Sequence, residues 1–296
     1  SGEWVYNNNL FSWYNFDDTY YDNSGNGRHL TNVNSSFSSY SVSGTKSALF
    51  NGSAYLQLNT NSLSLNTFTV AFWIYPISHT ADQTIVSYTN IISSANYGWS
   101  INILSSTSSN KLVFSYGNAG ASWTVFDLQT AFSTTSVWKY VVLTFNSGTL
   151  KAYIDGIWQA TQSGLTYNFT NVQSLRIGAG ANHTTAASYL VNNNRIDDFR
   201  IYNKTLSPET IYKIYKYSET KYANIQLVQR YDRLLFQIND KPVYNFLINN
   251  NIWYHITWNM NKLSTKSFIK INDSKIFYDT RVLLSGTYTN KLGSTS

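Results

Sequence analysis

The sequence has no cysteine, three prolines and few charged residues, and each scarcity excludes a class of protein. Without cysteine there is neither a disulfide framework nor a thiolate metal site. Charged residues make up 12% of the 296 residues, about half of their usual share in globular domains. No apolar run approaches the roughly 18 residues of a membrane-spanning helix. A disulfide-built secreted module and a membrane-inserted protein are therefore both disfavoured.

Basic residues outnumber acidic ones and give a net charge of +6, but they do not form a patch. A nucleic-acid-binding domain concentrates Lys and Arg on one face or along one helix. Here these residues are scattered, and the densest basic stretch, 213–221, also contains Glu219. We therefore expect a mildly basic surface and no nucleic-acid partner.

Hydrophobic residues, 43% of the chain, alternate with polar residues along most of its length. Alternation with period two indicates strands. Between two such runs, Asp155-Gly156 is a strong hairpin signal, because a type I′ turn needs positive φ at both central residues. The pattern predicts an all-β, antiparallel two-sheet sandwich. The predicted strands are FTVAFWIYP (68–76), YGWSINIL (97–104), KLVFSY (111–116), WTVFDL (123–128), WKYVVLTFN (138–146), LKAYIDGIWQAT (150–161), SLRIGAG (174–180) and RIDDFRIYN (195–203).

One short helix is expected at 207–217. Ser207 can cap it, Pro208 suits its first turn, and the negative charge of Glu209 complements the helix dipole. We place the end of the first domain here, at residue 217.

The segment that follows, 218–296, repeats part of the first domain. A shared offset of about 115 residues over three separate elements predicts a second copy of the same fold. This copy has no counterpart of the loop at 20–31 or of FTVAFWIYP, so we expect a partial sandwich that does not fold alone. The matches are 137–142 with 252–257, Ile154–Gly156 with Ile271–Asp273 after a two-residue insertion, and Ile177-Gly178 with Leu292-Gly293.

The loop YYDNSGNGRHLT (20–31) has two possible interpretations. In the first, Asp22 and Asn23 form an Asx-turn, and the two glycines supply positive φ. In the second, the side chains of Asp17, Asp22 and Asn26, with main-chain oxygens near Asn23, bind Ca²⁺, which takes six to eight oxygen ligands. The residues alone leave both interpretations open.

Two segments, FDD…DNSGNG (16–27) and RIDDFRIYNKTLSPETI (195–211), are the most specific parts of an ordered set of elements. Over about residues 10–216 this set resembles a laminin-G-like jelly-roll domain of the concanavalin A-like lectin/glucanase superfamily. The resemblance implies two packed antiparallel sheets whose rim loops often bind glycans or Ca²⁺. It also implies that the last strand runs beside the first, which adds Asp198 to the metal candidates. The partial copy from residue 222 resembles the family more weakly.

Catalysis is not expected. The hydrolases of this superfamily use two Glu carboxyls, and retaining chemistry needs a pair roughly 5–5.5 Å apart. The chain has three Glu, at positions 3, 209 and 219, and none lies in a predicted strand. Asp197 and Asp198 are adjacent on a strand, so they point to opposite faces. The four His residues are dispersed.

Glycan binding would need exposed aromatic rings beside polar loop residues. The competing interpretation for aromatic residues within strands is burial in the core, and it is strongest for Trp99 and Trp123. Trp158 follows the Asp-Gly turn and is expected at an exposed hairpin shoulder. The ligand-binding candidates are Tyr97, Trp99, Trp123, Trp158 and His183.

Two functions remain open at this point. The first is a surface binding or adhesion module, extracellular or on a cell, that recognises carbohydrate or a protein partner through its rim loops. The second is a structural or assembly protein of a particle surface, such as a capsid-associated or fibre protein of a large DNA virus. In that case unpaired strand edges of the partial copy would accept a strand from a neighbouring subunit.

Overall fold

The chain divides into two compact units, Ser1–Thr220 and Lys221–Ser296. The computed structural model describes residues 9–63, 66–77, 81–105, 111–129, 135–166, 168–180, 187–190, 192–218, 225–230, 233–238, 241–247, 249, 255–259, 267–272 and 274–278. The elements of the first unit are β1 (Leu10–Tyr14), β2 (Thr31–Val33), β3 (Ser36–Ser38), β4 (Ser47–Leu49), β5 (Tyr55–Asn59), β6 (Thr67–Tyr75), β7 (Gln83–Ile92), β8 (Ala95–Leu104), β9 (Lys111–Gly120), β10 (Thr124–Gln129), β11 (Lys139–Asn146), β12 (Thr149–Ile154), β13 (Ile157–Gln162), β14 (Ser174–Ile177), β15 (Ala179–Gly180), β16 (Ala187–Tyr189), β17 (Arg195–Tyr202) and α1 (Pro208–Ser218).

Two antiparallel sheets form the sandwich of the first unit. One sheet has the order β13-β12-β11-β6-β17-β4-β3, with β1 also paired to β17. The other has the order β10-β9-β8-β7-β14-β5-β2, and β15 and β16 form a separate short ribbon. The pairing of β1 with β17 puts the first strand beside the last, as the resemblance implied. The predicted all-β, two-sheet antiparallel architecture is confirmed.

Strand β6 shows why its sequence is apolar at nearly every position. Phe72 and Val70 point into the core between the sheets. Ala71 and Trp73 point outward, into a second buried cluster that includes Ile211 of helix α1. Because the helix covers the outer face of the sheet, β6 is buried on both faces.

The local turn and cap signals are confirmed. Asp155 and Gly156 have φ values of 53° and 77°, and they join β12 to β13 as a hairpin. Helix α1 begins one residue after Ser207, whose hydroxyl accepts a hydrogen bond from Thr210 N at 3.2 Å. Within the described residues, no helix is both long and apolar enough to cross a membrane.

Strand β7 was not among the predicted strands, and its irregular register explains why. The pairing of β7 with β8 shifts between Thr84 and Val86. The two neighbouring residues Ile85 and Val86 are both buried in the core. This bulge interrupts the period-two pattern from which strands are recognised.

The second unit contains two three-stranded antiparallel sheets. In the second of these, His255 N donates to Asn272 Oδ1 at 3.0 Å, and Asn272 N donates to His255 O at 2.8 Å. In the first unit Tyr140 N donates to Asp155 Oδ1 at 2.9 Å, and Asp155 N donates to Tyr140 O at 2.8 Å. The strands are β18 (Ile225–Arg230), β19 (Arg233–Ile238), β20 (Lys241–Leu247), β21 (Ile256–Asn259), β22 (Ser267–Ile271) and β23 (Ser274–Tyr278).

The same pair of bonds therefore recurs at the positions that the sequence repeat aligns. The register agrees as well: Val141 pairs with Ile154 in the first unit, and Ile256 pairs with Ile271 in the second. These features fit a partial second copy, which stays a prediction. The other aligned positions, 252–254, 273 and 292–293, lie outside the described residues.

Candidate functional site

Asp22 organises the loop between β1 and β2, and we call residues 22–28 the glycine loop. Oδ1 of this buried carboxylate accepts hydrogen bonds from the backbone N–H groups of Trp13 and Ser24, both at 2.9 Å. Oδ2 accepts one from Arg28 N at 3.0 Å. Burial alone would raise the pKa of Asp22, but the bonds from Ser24, Trp13 and Arg28 lower it below its ordinary value. The carboxylate therefore supplies hydrogen-bond acceptors for backbone N–H groups that find no backbone carbonyl in so tight a loop.

The rest of the glycine loop is bound to strand β1. Asn26 Nδ2 donates to the carbonyl of Leu10 at 2.9 Å, and Arg28 Nη1 donates to the carbonyl of Phe11 at 2.9 Å. Gly25 and Gly27 have φ values of 85° and 70°, which are strained for other residues. The Asx-turn and the glycine geometry of the first interpretation are both present.

The calcium interpretation needs oxygen atoms that converge on one point. Asn26 presents its NH₂ group to main-chain carbonyls, and Asn23 Nδ2 donates to Asn15 Oδ1 at 3.0 Å. In the part of the chain that the structure describes, no group of three or more His, Asp or Glu side chains could hold a metal ion. As arranged here, the glycine loop does not fit a calcium centre. Calcium binding stays a prediction.

Asp17, the second metal candidate, holds a different loop, residues 39–46, which we call the rim loop. Its Oδ1 accepts hydrogen bonds from Thr45 N at 2.6 Å and from Lys46 N at 2.9 Å. The carboxylate lies so close to Gly44, whose φ is 61°, that a Cβ there would be 2.1 Å from Asp17 Oδ2. Asp17 therefore fixes the shape of the rim loop.

The paired aspartates of β17 point in different directions, as expected. Asp197 Oδ2 accepts hydrogen bonds from Val42 N and Ser43 N in the rim loop, both at 2.9 Å. Burial raises the pKa of Asp197 well above its ordinary range, although these N–H groups oppose the shift. Asp198 Oδ1 instead accepts Trp13 Nε1 at 2.7 Å and Arg200 Nε at 3.0 Å. The rim loop is thus held by two carboxylates, Asp17 and Asp197.

The aromatic candidates have separate positions. The ligand-binding candidate Trp99 is wrong, and its competing interpretation, burial in the core, holds. The side chain is 1% exposed and stacks on Phe68 with ring centroids 5.3 Å apart. Tyr97 is partly buried and packs against the same core. Trp123 is half-buried just before β10. Trp158 is 57% exposed on β13, as predicted for a hairpin shoulder.

These four side chains do not form one site. They lie on or beside three different strands and share no ring contact among the described residues. His183 lies outside the described residues. The sequence candidates are therefore individual positions, and a convergent group has to be sought elsewhere.

A convergent group does exist at one end of the first sheet, where Tyr40 of the rim loop meets Tyr75, Trp138 and Arg195. We call these four residues the rim cluster. Tyr40 is 48% exposed, with its ring 4.9 Å from that of Tyr75 and 6.1 Å from that of Trp138, to which it is nearly parallel. The rings of Tyr75 and Trp138 are 5.4 Å apart. Three aromatic rings thus form one surface patch.

Arg195 completes the rim cluster with a positive charge. Its guanidinium carbon lies 5.4 Å from the ring centroid of Tyr40 and 5.3 Å from that of Tyr75. Partial burial and, second, the hydroxyl of Tyr75 raise the pKa of Tyr40. The Tyr40 phenol therefore stays neutral near pH 7 and can donate or accept a hydrogen bond.

The strand order explains why these residues meet. Tyr75 is the last residue of β6, and Arg195, the first residue of β17, pairs directly with it. Trp138 immediately precedes β11, the other antiparallel neighbour of β6. The rim loop places Tyr40 against these three residues, and Tyr40 N donates a hydrogen bond to Ser38 Oγ at 3.1 Å. Positions 40, 75, 138 and 195 share no sequence spacing, so only the topology could have revealed the cluster.

Comparison with solved structures finds domains of the same fold at low sequence identity. Domain 4 of AbnA, a GH43 extracellular arabinanase from Geobacillus stearothermophilus, in complex with arabinotriose, is 20% identical; the match covers 69% of this chain and 97% of that one, with a TM-score of 0.54. The binding domain of botulinum neurotoxin DC matches in complex with SialylT (18% identity) and in complex with rat synaptotagmin II (17% identity). Each of these matches covers 92% of this chain and 73% of the other, with a TM-score of 0.55.

The comparison of sequences gives a family. No curated protein sequence matches the chain significantly. A laminin G family model described as concanavalin A-like lectin/glucanases superfamily matches residues 50–212, which is more than half of the chain. That range contains Tyr75, Trp138 and Arg195, three of the four residues of the rim cluster. The chain belongs to the concanavalin A-like lectin/glucanases superfamily, through a laminin G-like domain.

Proposed function

We propose that this protein is a non-catalytic surface-binding module that recognises carbohydrate through the rim cluster. The observation that carries the proposal is the patch of three aromatic rings beside one guanidinium. Tyr40 is half-exposed and Trp138 is partly exposed beside it, so aromatic surface is present next to phenols and a guanidinium that can form hydrogen bonds with a sugar. Binding sites in proteins commonly combine aromatic surface with a few placed polar groups in this way.

The rim loop is prepared for binding before any ligand arrives. Asp17 and Asp197 hold four of its backbone N–H groups, and Ser47 Oγ donates to the carbonyl of Tyr40 at 2.8 Å. A loop that is already ordered loses less conformational entropy on binding. This supports a role for Tyr40 as a rigid contact residue.

The carboxyl groups support a non-catalytic module. Glu209, the one glutamate in the described residues, lies on helix α1 beside Lys213, which lowers its pKa. Asp197 and Asp198 are buried and hydrogen-bonded within the fold. None of these carboxyls faces another across an open sheet, which retaining glycoside hydrolysis would need.

The structural neighbours give two classes of partner, carbohydrate and protein. One was solved with arabinotriose, another with SialylT and a third with synaptotagmin. We favour carbohydrate because the rim cluster combines stacked rings with polar groups at the rim. An extracellular or cell-surface location would suit this function, and the arabinanase neighbour is itself named extracellular.

A second candidate function, assembly on a particle surface, draws on a different region. Strand β13 lies at the end of its sheet, and Ile157 and Trp158 on it are 64% and 57% exposed. An exposed apolar edge strand can pair with a strand of a neighbouring subunit. Analytical ultracentrifugation distinguishes the two: a monomer at micromolar concentration favours the binding module, whereas a stable oligomer that Trp158→Lys dissociates favours assembly.

A glycan array followed by calorimetric titration tests the proposed function. The variants are Tyr40→Ala and, as a matched control, Tyr21→Ala, whose tyrosine is 66% exposed near the glycine loop. We expect Tyr40→Ala to weaken binding roughly tenfold or more and Tyr21→Ala to leave it unchanged. Equal binding by both variants would move the site away from the rim cluster, and no binding by the wild type would refute carbohydrate recognition.

A further inference from the structure

Four arginines of the first unit lie over aromatic rings: Arg28, Arg176, Arg195 and Arg200. The last two lie on the same strand, β17, and they differ in one respect. Arg200 lies 4.6 Å above the ring of Trp13 and is paired with Asp198 at 3.0 Å. Arg195 lies between Tyr40 and Tyr75, and no carboxylate of the described residues is within ion-pair distance of it. Of the two arginines on β17, Arg200 therefore has an internal counter-ion, and Arg195 does not.

The guanidinium of Arg195 is fixed in place by neutral partners. Its Nε donates to Ser38 Oγ at 3.0 Å, and Nη1 donates to the carbonyl of Asn193 at 3.0 Å. A guanidinium carries five N–H donors in a rigid fork. Two are used by these bonds, and the fork keeps further donors for a ligand.

The lysines near the rim cluster are already neutralised by neighbouring carboxylates. Lys139, next to Trp138, bonds to Asp155 at 2.8 Å. Lys46 of the rim loop bonds to Asp18 at 2.5 Å. The charge that the rim cluster offers to a ligand is therefore that of Arg195, set beside three aromatic rings.

We propose that the rim cluster selects sugars that carry a carboxylate, with the pyranose ring against Tyr40 and Trp138 and the carboxylate on Arg195. This proposal rests on the carbohydrate-binding function proposed above and names the ligand class. The rings favour a sugar over a bare anion. The fork of Arg195 favours a carboxylate over a neutral group, because arginine binds carboxylates with two parallel hydrogen bonds. Two sources share this chemistry, uronic acids of polysaccharides and sialic acids of glycoconjugates.

Calorimetric titration of the full chain with two matched pairs of probes tests the inference. The first pair is trigalacturonate and its methyl ester, which has the same sugar rings without the charge. The second pair is sialyllactose and lactose. We expect one acidic probe to bind at least roughly tenfold more tightly than its neutral partner. A tenfold change in affinity corresponds to the lower end of the free energy that a hydrogen bond to a charged group contributes. The pair that shows the difference identifies the source.

Two variants assign the preference to Arg195. Arg195→Gln is expected to remove the tenfold difference while the affinity for the neutral partner is kept. Arg195→Lys keeps the charge without the fork and is expected to retain part of the difference. Melting temperatures of both variants are measured alongside, so that a loss of binding caused by unfolding is recognised. If Arg195→Gln does not fold, the comparison of Arg195→Lys with the wild type tests the assignment.

The outcomes separate the two proposals. If the wild type binds acidic and neutral partners equally, the carboxylate preference is refuted and the carbohydrate-binding function stands. If Arg195→Gln folds and keeps the acidic preference, the preference belongs to another residue and the assignment is refuted. If no probe binds and a glycan array is also negative, the proposed function itself fails.

Discussion

The glycine loop and the rim loop, two polar loops of the same sandwich, use their side chains in opposite ways. In the glycine loop, Asp22 and Asn26 form hydrogen bonds with the backbone of β1 and of the loop itself. In the rim loop, Asp17 and Asp197 do that work from outside, and Tyr40 is left at the surface. The loop with the richer motif is therefore the structural one, and the plainer loop presents the candidate site.

Substitution of Asp22 tests this difference between the two loops first, because we expect it to cause the largest loss of stability. Asp22→Ala removes the acceptor of three backbone N–H groups, and each buried donor left without a partner costs about 1–3 kcal/mol. We expect the free energy of unfolding to fall by about 3 kcal/mol in chemical denaturation. The control is Asp18→Asn, which removes an exposed carboxylate bonded to Lys46, suits the positive φ of 61° at this position, and should cost under about 1 kcal/mol. Similar losses in both variants would contradict the account.

One glycine from each loop provides the next test of the difference between the two loops. Gly25 and Gly44 both have positive φ, but a Cβ at Gly25 meets nothing within 4 Å, whereas at Gly44 it meets the Asp17 carboxylate. Gly25→Ala should therefore cost about 1 kcal/mol for backbone strain alone. Gly44→Ala should cost roughly twice that, because Asp17 must also leave the rim loop, and it should weaken glycan binding. Equal melting temperatures and equal affinities would show that Asp17 does not hold the loop.

The pH dependence of stability tests the hydrogen bonds of Asp22 separately. Its pKa is lower in the folded than in the unfolded protein, so its contribution is complete above its ordinary value of about 4 and is lost as the pH falls through the folded value. The difference in unfolding free energy between wild type and Asp22→Ala should be constant from pH 7 to about 5. It should then shrink towards pH 3. A difference that grows on acidification would have the wrong sign.

The smallest expected change in stability belongs to the rim cluster. Tyr40→Ala removes a half-exposed ring that touches Tyr75 and Trp138, which is worth about 1 kcal/mol or less. Thermal melting should therefore shift by only a few degrees. A larger shift would mean that Tyr40 is part of the core of the fold and would weaken its role as a contact residue.

The architecture could be predicted from the sequence because its main signals are local. The β-branched and aromatic run of β6, the Asp155-Gly156 turn and the Ser207 cap each depend on neighbours within a few residues, and each predicted element is confirmed. Strand β7 was missed because its bulge places two core residues side by side. The helix that buries the outer face of β6 explains why that strand is apolar on both sides.

The candidate site could be predicted far less well because it depends on distant contacts. Nothing in the sequence indicates that Asp17 binds the rim loop, 28 residues later, or that Tyr75 and Arg195 are paired. Trp99 and Tyr75 both lie in strand-like runs, yet the candidate Trp99 is buried between rings, whereas Tyr75, which was not a candidate, belongs to the rim cluster. The side of the sheet and the position along the strand decide between them, and both are set by the register of the folded sheets.

The measurement that tests the central claim most directly compares two variants in two assays, carbohydrate affinity and melting temperature. The account predicts that Tyr40→Ala loses affinity while its melting temperature changes by only a few degrees. Asp22→Ala, assayed well below its melting temperature, is predicted to keep its affinity and lose stability. If Asp22→Ala abolishes binding in a protein that is still folded, or if added Ca²⁺ raises the wild-type melting temperature and fails to raise that of Asp22→Ala, the glycine loop is the functional site and the account is contradicted.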